Sequence, residues 1–425
     1  MSNRYIKALS VDLKCFHASQ STKHCDSKNK HGLVALAIVA SILFSPCYLA
    51  VAADARAQPT REIINPNLSG KDITQGQAAA PEKIYTREEI LKAEPLKWVP
   101  AGKADKRYLG NSSFKEKQPK VKGRVQLQPP GLPNSEANSQ AQKEFPDQWQ
   151  LLKELDQKSA ENPIHKATPE TADKVTPSAA APAAINFGTQ DIYTSYKGNY
   201  WSVQQTAYPW AVVGKLLIDG GGYCTAQSIT GAPKNIIVTA AHCVYDVGKG
   251  FKSGWTFVPA ERNGATPYGQ FRWASARVLT AWTTGGARRN DIAIIRLQNN
   301  NAGRPVSYYT GWLGWRQNYP YTRSLHSVGY ASNISTAWTS ICAAESFYAS
   351  CEGTDVLVKG CNMTYGSSGG AWIDEYKPYE VSGYVESVVS GPSCAGAFGQ
   401  TFVGAHFSDA NFGKLCVAEG GCTTP

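Results

Sequence analysis

The chain has 425 residues, a formal net charge of +10 and eleven cysteines, and these features are unevenly distributed. Residues 186–425 carry 17 Lys and Arg against 14 Asp and Glu, so most of the positive charge belongs to residues 1–185. The C-terminal part has no basic stripe interleaved with aromatic residues, which argues against nucleic-acid binding. Nine of the eleven tryptophans lie beyond residue 185, so the main core is expected there.

Residues 1–57 have the pattern of a secretory signal. A polar, basic stretch precedes the apolar run from Gly32 to Phe44, and alanine-rich residues follow it up to Ala57. Pro46 ends the run below the ~20 residues that a membrane-spanning helix needs, so cleavage is favoured over a signal anchor. We expect a secreted protein, extracellular or periplasmic, that meets the membrane only transiently through this region. A signal-anchored surface protein is the alternative.

Residues 58–185 are rich in Pro, Lys, Gln, Glu and Ala and contain no cysteine. This composition cannot bury enough apolar surface for a core of its own, so a largely disordered region is expected. Two helices are predicted within it. Thr86 and Glu89 form a capping box that opens a helix through Leu91, and residues 147–158 place apolar side chains at helical spacing. A pro-region that silences the following domain or helps it to fold, and a plain spacer, both remain open.

From about Asn186 the chain changes to short apolar runs separated by Gly, Asn, Asp and Pro. Many short strands at such spacing predict an all-β sandwich or barrel. The predicted strands are Trp210–Ile218, Asn235–Thr239, Ile292–Leu297, Ser324–Tyr330, Val356–Val358, Val381–Val389 and Thr401–Val403.

Three motifs in this part carry residues suited to nucleophilic chemistry. Ser368 lies in Gly-Ser-Ser-Gly-Gly, His242 in Thr-Ala-Ala-His-Cys, and Asp291 in Asn-Asp-Ile-Ala. A serine hydroxyl needs an adjacent base at neutral pH, and an imidazole titrates near that pH. A carboxylate on the far ring nitrogen fixes the tautomer and stabilises the imidazolium. A serine among glycines is ordinarily a loop residue, and only the presence of both partners favours the chemical role.

With these motifs in the order His, Asp, Ser, residues 186–425 resemble the trypsin/chymotrypsin superfamily of serine peptidases. The similarity extends to its bacterial secreted members, such as the glutamyl endopeptidases. The resemblance implies two antiparallel six-stranded Greek-key β-barrels with the site at their interface. It also implies an endopeptidase that hydrolyses peptide bonds in proteins or peptides through an acyl-enzyme. No cofactor, no metal and a monomeric state are expected.

The resemblance also assigns roles to individual residues. It implies catalytic roles for His242, Asp291 and Ser368, and an oxyanion hole made by the backbone N–H groups of Gly366 and Ser368. Counting back six residues places the base of the specificity pocket near Asn362, which is not acidic, so a preference for Arg or Lys is not supported. Glu386 and Ser387 resemble the strand that lines the pocket. The side-chain preference stays open.

The cysteines beyond residue 200 form an even set of eight between Cys224 and Cys422, as in a disulfide-bonded secreted domain. The family's histidine-loop bridge implies the pair Cys224–Cys243. The most economical pairing of the others is Cys342–Cys351, Cys361–Cys394 and Cys416–Cys422. No Cys/His cluster has the spacing of a zinc site.

Two departures from the family pattern concern activation. Ser367 stands where trypsin-type zymogens carry an aspartate, and no Ile-Val-Gly-Gly sequence occurs near residue 185. The N-terminal salt-bridge switch is therefore not expected, and any silencing by residues 58–185 would have to cover or distort the site. The alternative to an enzyme is a catalytically silent peptidase-fold protein that binds a partner at the cell surface.

Overall fold

The structure is a computed structural model. It describes residues 60–68, 83–98, 120–161, 194–197, 205–232, 234–351, 354–377, 380–392 and 401–423. These residues belong to one unit that spans positions 55–425. The predicted signal region 1–57, the linker 163–184 and Cys394 lie outside the described residues.

The elements before residue 200 are short. In chain order they are β1 Thr60–Ile64, α1 Arg87–Lys92, β2 Glu94–Pro95, β3 Gln126–Gln128, α2 Ala137–Glu144, α3 Pro146–Glu161 and β4 Thr194–Lys197.

The elements of the first half of the C-terminal part alternate strands with single helical turns. The strands are β5 Val213–Ile218, β6 Gly222–Ser228, β7 Ile236–Thr239, β8 Tyr245–Asp246, β9 Gly250–Phe251, β10 Trp255–Pro259, β11 Phe271–Leu279 and β12 Ala293–Leu297. The helix α4 is Thr280–Gly285, and 3-10 turns cover Trp210–Val212, Ala241–Cys243 and Arg288–Asn290.

The second half of the C-terminal part also consists mainly of short strands with few helices. Its elements are α5 Val306–Thr310, β13 Gly314–Gln317, β14 Arg323–Gly329, β15 Ser340–Cys351, β16 Thr354–Gly360, β17 Ala371–Asp374, β18 Tyr384–Pro392, β19 Thr401–Gly404 and α6 Phe412–Ala418. Each of the seven strands predicted from the sequence has its counterpart, with ends that differ by a few residues.

Six strands of the first half close into a barrel. The order around the ring is β5, β6, β7, β12, β11, β10 and back to β5, and every pairing in it is antiparallel. Six strands of the second half close in the same way, in the order β14, β15, β16, β19, β18, β17 and back to β14. The prediction of two antiparallel six-stranded barrels is confirmed.

The core fills both barrels and the space between them. In the first barrel β5 is buried along its whole length, and Trp255 and Phe257 of β10 lie in the main apolar cluster. The same cluster extends to Val328 and Val388 of the second barrel. Because one continuous core joins the barrels, side chains presented from each barrel toward the other are held in a fixed geometry.

Three short strands of the N-terminal region pair with strands of the barrels. β1 adds antiparallel to β11, β2 adds parallel to β6, and β3 adds antiparallel to β13. These segments have no core of their own, as their composition predicts. They are ordered instead by the backbone edges and apolar surface of the barrels, which composition alone cannot reveal.

Both helices predicted in this region are confirmed. The Thr86 hydroxyl accepts from the backbone N–H of Glu89, and the Glu89 carboxylate accepts from the backbone N–H of Thr86, which completes the capping box of α1. The longer helix α3 docks through Trp149, whose indole N–H donates to the Pro267 carbonyl. Within the described ranges, no helix combines the length and the apolar character that crossing a membrane requires.

Candidate active site

His242 lies directly after strand β7, on a 3-10 turn at the edge of the first barrel. The next residue, Cys243, forms a disulfide with Cys224 of β6. The bridge and the strand together fix the backbone at His242 from both sides. The imidazole is 3% exposed, so its orientation is set by protein contacts.

Asp291 lies between the 3-10 turn Arg288–Asn290 and β12, the strand that pairs with β7 in the first barrel. Its Oδ1 accepts from the backbone N–H of His242 at 2.9 Å, and its Oδ2 is 2.8 Å from His242 Nδ1. Burial opposes ionisation of this carboxyl group. The charge and hydrogen bonds of His242 and the Ser390 hydroxyl outweigh that effect and hold the pKa of Asp291 below its usual value.

Ser368 is presented by the second barrel on a tight turn between β16 and β17. The turn needs glycine at two points. Gly366 has φ +84°, and a Cβ there would lie 2.6 Å from Tyr223; Gly369 has φ +79°, and a Cβ there would lie 2.0 Å from the Thr239 hydroxyl. These glycines let the serine loop approach β6 and β7 closely. The Ser368 carbonyl accepts from the backbone N–H of Thr225 at 2.8 Å, which locks the loop onto the first barrel.

The three side chains meet between the barrels. His242 Nε2 is 2.8 Å from Ser368 Oγ while His242 Nδ1 is 2.8 Å from Asp291 Oδ2, so the imidazole bridges the hydroxyl and the carboxylate. With the carboxylate on Nδ1, the Nε2 atom is oriented to accept the hydroxyl proton. This arrangement can generate a serine nucleophile.

Two backbone N–H groups were expected to form an oxyanion hole. The Gly366 N–H donates to the carbonyl of Leu96 at 3.4 Å, so it points toward the cleft. Its partner comes from the segment after α1. Ser367, the residue between Gly366 and Ser368, turns inward and donates its hydroxyl to the Thr364 carbonyl at 2.6 Å.

Ser390 is a member of the site that the sequence analysis did not find. Its hydroxyl donates to Asp291 Oδ2, the oxygen that also contacts His242. It lies near the end of β18, followed by Gly391, and a Cβ on Gly391 would lie 2.5 Å from Arg288. The sequence signal that could have indicated Ser390 is the Ser-Gly pair at the end of an apolar strand.

Glu386 and Ser387, predicted to lie on the strand that lines the pocket, are both buried on β18. They precede Ser390 by four and three residues, which is about 10–13 Å along an extended strand. The Ser387 hydroxyl faces Gly404 of β19 inside the second barrel. The Glu386 carboxylate is buried 3.8 Å from Arg316, and this burial raises its pKa to about 7 against the lowering effect of Arg323 and Arg316.

The disulfides require one further correction. Cys224–Cys243 and Cys416–Cys422 form, but Cys342 is bonded to Cys361, so the pairings Cys342–Cys351 and Cys361–Cys394 are wrong. Cys342 and Cys351 lie on the same strand, β15, nine residues and about 30 Å apart. A disulfide needs Cα atoms within roughly 7 Å.

Asn362 follows the Cys342–Cys361 bridge, six residues before Ser368. Its side-chain oxygen is 3.6 Å from the Cys342 sulfur, and its carbonyl accepts from Asn333 at 2.7 Å. The disulfide therefore anchors the chain that leads to the serine turn.

One group of described side chains is close enough to share a metal ion, namely Cys224, His242 and Cys243. The two sulfurs are bonded to each other, so they cannot act as thiolate ligands. Both nitrogens of His242 are occupied by Asp291 and Ser368. The chemistry of these donors does not suit a metal.

Comparison with known proteins gives matches to peptidases. A curated relative is the extracellular metalloprotease of Bacillus subtilis (strain 168), 29% identical over 131 residues, which cover 30% of this chain and 39% of that protein. The chain thus spans well under half the length of this relative.

Solved structures that match include the protease Anisep from Arthrobacter nicotinovorans, with TM-score 0.44 and 26% identity over 51% of this chain and 94% of that chain. A thermostable serine protease, AL20, from an extremophilic microorganism has TM-score 0.44 and 22% identity over 49% of this chain and 97% of its own. A Glu endopeptidase has TM-score 0.43 and 19% identity over 53% of this chain and 96% of that chain.

The family model described as trypsin matches residues 201–402. The matched part contains both barrels up to the start of β19 and all three residues of the hydrogen-bonded His-Asp-Ser arrangement. Residues 201–402 are therefore a trypsin-like serine peptidase domain.

Proposed function

We propose that this protein is a secreted serine endopeptidase in which Ser368, His242 and Asp291 act as a catalytic triad. The observation that carries the proposal is the pair of 2.8 Å contacts that place the His242 imidazole between the Ser368 hydroxyl and the Asp291 carboxylate. The trypsin family match supports the same reaction class.

The proposed reaction proceeds in two halves. Ser368 Oγ attacks the carbonyl carbon of a peptide bond while His242 Nε2 takes the hydroxyl proton. When the C–N bond breaks, His242 returns that proton to the leaving amine, and an ester to Ser368 remains. Water then attacks the ester with His242 again as base, which releases the acid and restores the hydroxyl. Asp291 stays ionised throughout and stabilises the imidazolium, as its lowered pKa supports.

The backbone N–H of Gly366 is one proposed donor to the oxyanion, and that of Ser368 is the second. The positive φ of Gly366 orients its N–H toward the cleft. Hydrogen-bond donors held in place for the developing charge are commonly the largest contribution to such catalysis. Ser390 is a positioning residue, because it acts on the reaction only through Asp291.

Protein or peptide chains are the proposed substrates, and export across a membrane is the proposed route to them. The signal pattern in residues 1–57 and the disulfides of the barrels both fit an oxidising compartment outside the cytoplasm.

Peptide hydrolysis by the full chain tests this function. The chain is assayed on a fluorogenic peptide library before and after limited digestion by a metalloprotease, which is then inactivated with a chelator. We expect hydrolysis by the wild type after this digestion and, with an activated ester, a burst of product equal to the enzyme concentration. Ser368→Ala is expected to lower kcat by about 10⁶-fold.

Ser253→Ala is the matched control, because Ser253 is an exposed serine of the same domain whose hydroxyl contacts only the Asp219 carbonyl among the described residues. It should retain wild-type kcat. Hydrolysis that persists at the wild-type rate in Ser368→Ala would overturn the proposal.

A further inference from the structure

The nucleophile of the proposed peptidase is covered. Ser368 has no exposed surface, and His242 is 3% exposed. A peptidase must bring a polypeptide to both residues, so a chain of this kind cannot bind substrate while they are covered. A segment of the N-terminal region contacts the turn that carries Ser368.

Residues 94–98, here named the cleft strand, run along the edge of the first barrel and into the second. Glu94 donates its N–H to the Gly221 carbonyl at 2.8 Å, and Leu96 donates to the Tyr223 carbonyl at 2.9 Å. The Leu96 carbonyl then accepts from the Gly366 N–H at 3.4 Å. The strand therefore occupies the backbone donor that is proposed to bind the oxyanion of a substrate.

The end of the cleft strand is an aromatic anchor. Trp98 is 5% exposed and packs edge-on against Tyr365, the residue before Gly366, with ring centroids 6.1 Å apart. It belongs to the buried cluster of Met363 and the Cys342–Cys361 bridge, next to the chain that leads to the serine turn. A side chain of this size fills space beside the nucleophile that a substrate side chain would need.

Helix α1 holds the start of this segment. Tyr85 donates its hydroxyl to Asp219 at 2.6 Å, and Tyr85 exchanges two backbone hydrogen bonds with the Gln270 side chain. Ile90 is buried in a cluster with Tyr223 and Tyr330, the two residues whose atoms a Cβ on Gly366 would strike. The docking surface is thus continuous with the proposed oxyanion site.

The cleft strand runs parallel to β6, with Glu94 beside Gly222 and Pro95 beside Tyr223. The chain continues to Trp98, whose side chain belongs to a buried cluster of second-barrel residues. The cleft strand therefore bridges the two barrels next to the serine turn.

We infer that residues 94–98 are a built-in inhibitor of this peptidase, because they occupy the Gly366 N–H and pack on the turn that carries Ser368. This inference rests on the proposed function. Trp98 and the Leu96 N–H hold the strand in place, and its release exposes Ser368. The sequence left a pro-region and a spacer equally open, and these contacts favour the pro-region.

The test compares full-length variants by the rate at which a fluorophosphonate labels Ser368. Trp98→Ala removes the aromatic anchor, and Leu96→Pro removes the N–H that donates to Tyr223. We expect each to label about 100-fold faster than the wild type, since truncating a buried tryptophan strongly weakens docking. Trp149→Ala is the matched control, because Trp149 also anchors the N-terminal region but packs on Tyr268. It should label like the wild type.

A second measurement reports docking without any activity. Hydrogen exchange is followed in full-length Ser368→Ala, which cannot digest itself. We expect slow exchange at the amides of Leu96 and Gly366, and faster exchange at both when Trp98→Ala is added. In Leu96→Pro, which has no N–H at residue 96, we expect faster exchange at Gly366. Circular dichroism of each variant confirms that the barrels remain folded.

The outcomes separate the two proposals. Labelling of the wild type as fast as of Trp98→Ala would overturn the inhibitor while leaving the peptidase in place. Cleavage of the wild type after Leu96 would also overturn it, because the strand would then be a substrate. If the Gly366 amide exchanges fast in both anchor variants and neither is labelled, the proposed function itself fails.

Discussion

Ser390 is a member of the proposed active site, although it lies outside the three sequence motifs that contain His242, Asp291 and Ser368. It donates to the same Asp291 oxygen that contacts His242 Nδ1, so this oxygen has two hydrogen-bond donors. Hydrogen bonds to a buried carboxylate stabilise its charge and limit how strongly it attracts a proton. Ser390 therefore moderates the interaction between Asp291 and the imidazole.

Ser390→Ala should lower kcat/KM about tenfold, with most of the loss in kcat, because a charge-assisted hydrogen bond is lost. The measurement is kcat and KM on the same fluorogenic peptide for both proteins.

The control for this variant is Ser387→Ala, three residues earlier on β18, whose hydroxyl faces Gly404. Its kcat and KM should match those of the wild type. If Ser387→Ala carried the loss and Ser390→Ala did not, the placement of β18 beside Asp291 would be refuted.

His406 gives a pH-dependent contribution to stability. Burial lowers the pKa of His406 to about 4, although its hydrogen bond to the Tyr319 carbonyl and the nearby Asp355 oppose this. The unfolded chain binds this proton below about pH 6.5. Between pH 6.5 and 4 the unfolded state therefore carries more protons, and the free energy of unfolding falls as the pH falls.

The variant His406→Gln keeps a donor for the Tyr319 carbonyl but does not titrate. Between pH 6.5 and 4 the wild type should lose up to about 3 kcal/mol more than the variant, measured by denaturant unfolding. Glu386, with its pKa raised to about 7, acts in the opposite sense in both proteins, so the difference isolates His406. Parallel curves over this range would contradict the expectation.

At the scale of elements, the Cys342–Cys361 bridge connects β15 to the chain that leads into the serine turn. It closes a loop with a sequence separation of 19. Loss of a bridge of this length costs about 3 kcal/mol through the freedom of the unfolded chain. The double variant Cys342→Ala/Cys361→Ala should show this loss in guanidinium unfolding at pH 7.

The comparison for the bridge is the double variant Cys416→Ala/Cys422→Ala, whose bridge has a sequence separation of 6. It should cost less, because a shorter loop restricts the unfolded chain less. The expectation is contradicted if the longer bridge proves the less stabilising of the two.

The sequence predicted which strands and helices form. It did not predict the register in which the strands pair. Strands such as β5, β7 and β12 are short apolar runs between turn residues. The start of α1 is indicated by the capping box of Thr86 and Glu89. The sequence did not single out Ser390, because β18 is apolar over many residues and the serines within it have similar surroundings in the sequence. Only the pairing of β18 with its neighbours decides that Ser390 faces Asp291.

At the scale of the molecule, both barrels use the same order of strands around the ring. His242 and Asp291 come from the first barrel and Ser368 from the second, as the order of motifs along the chain predicted. The contacts of the N-terminal region with the barrels could not be predicted from motifs along the chain. Its residues carry weak local signals, and the order of 83–98 depends on surfaces that exist only after the barrels have folded.

The central claim, that Ser368 is an activated nucleophile, is tested most directly by locating a fluorophosphonate adduct on the full-length Trp98→Ala chain by peptide mass spectrometry. The account predicts one modified residue, Ser368, with labelling abolished by His242→Ala and unchanged by Ser253→Ala. Absence of an adduct on a folded chain, or an adduct on another serine while Ser368 stays unmodified, would contradict it.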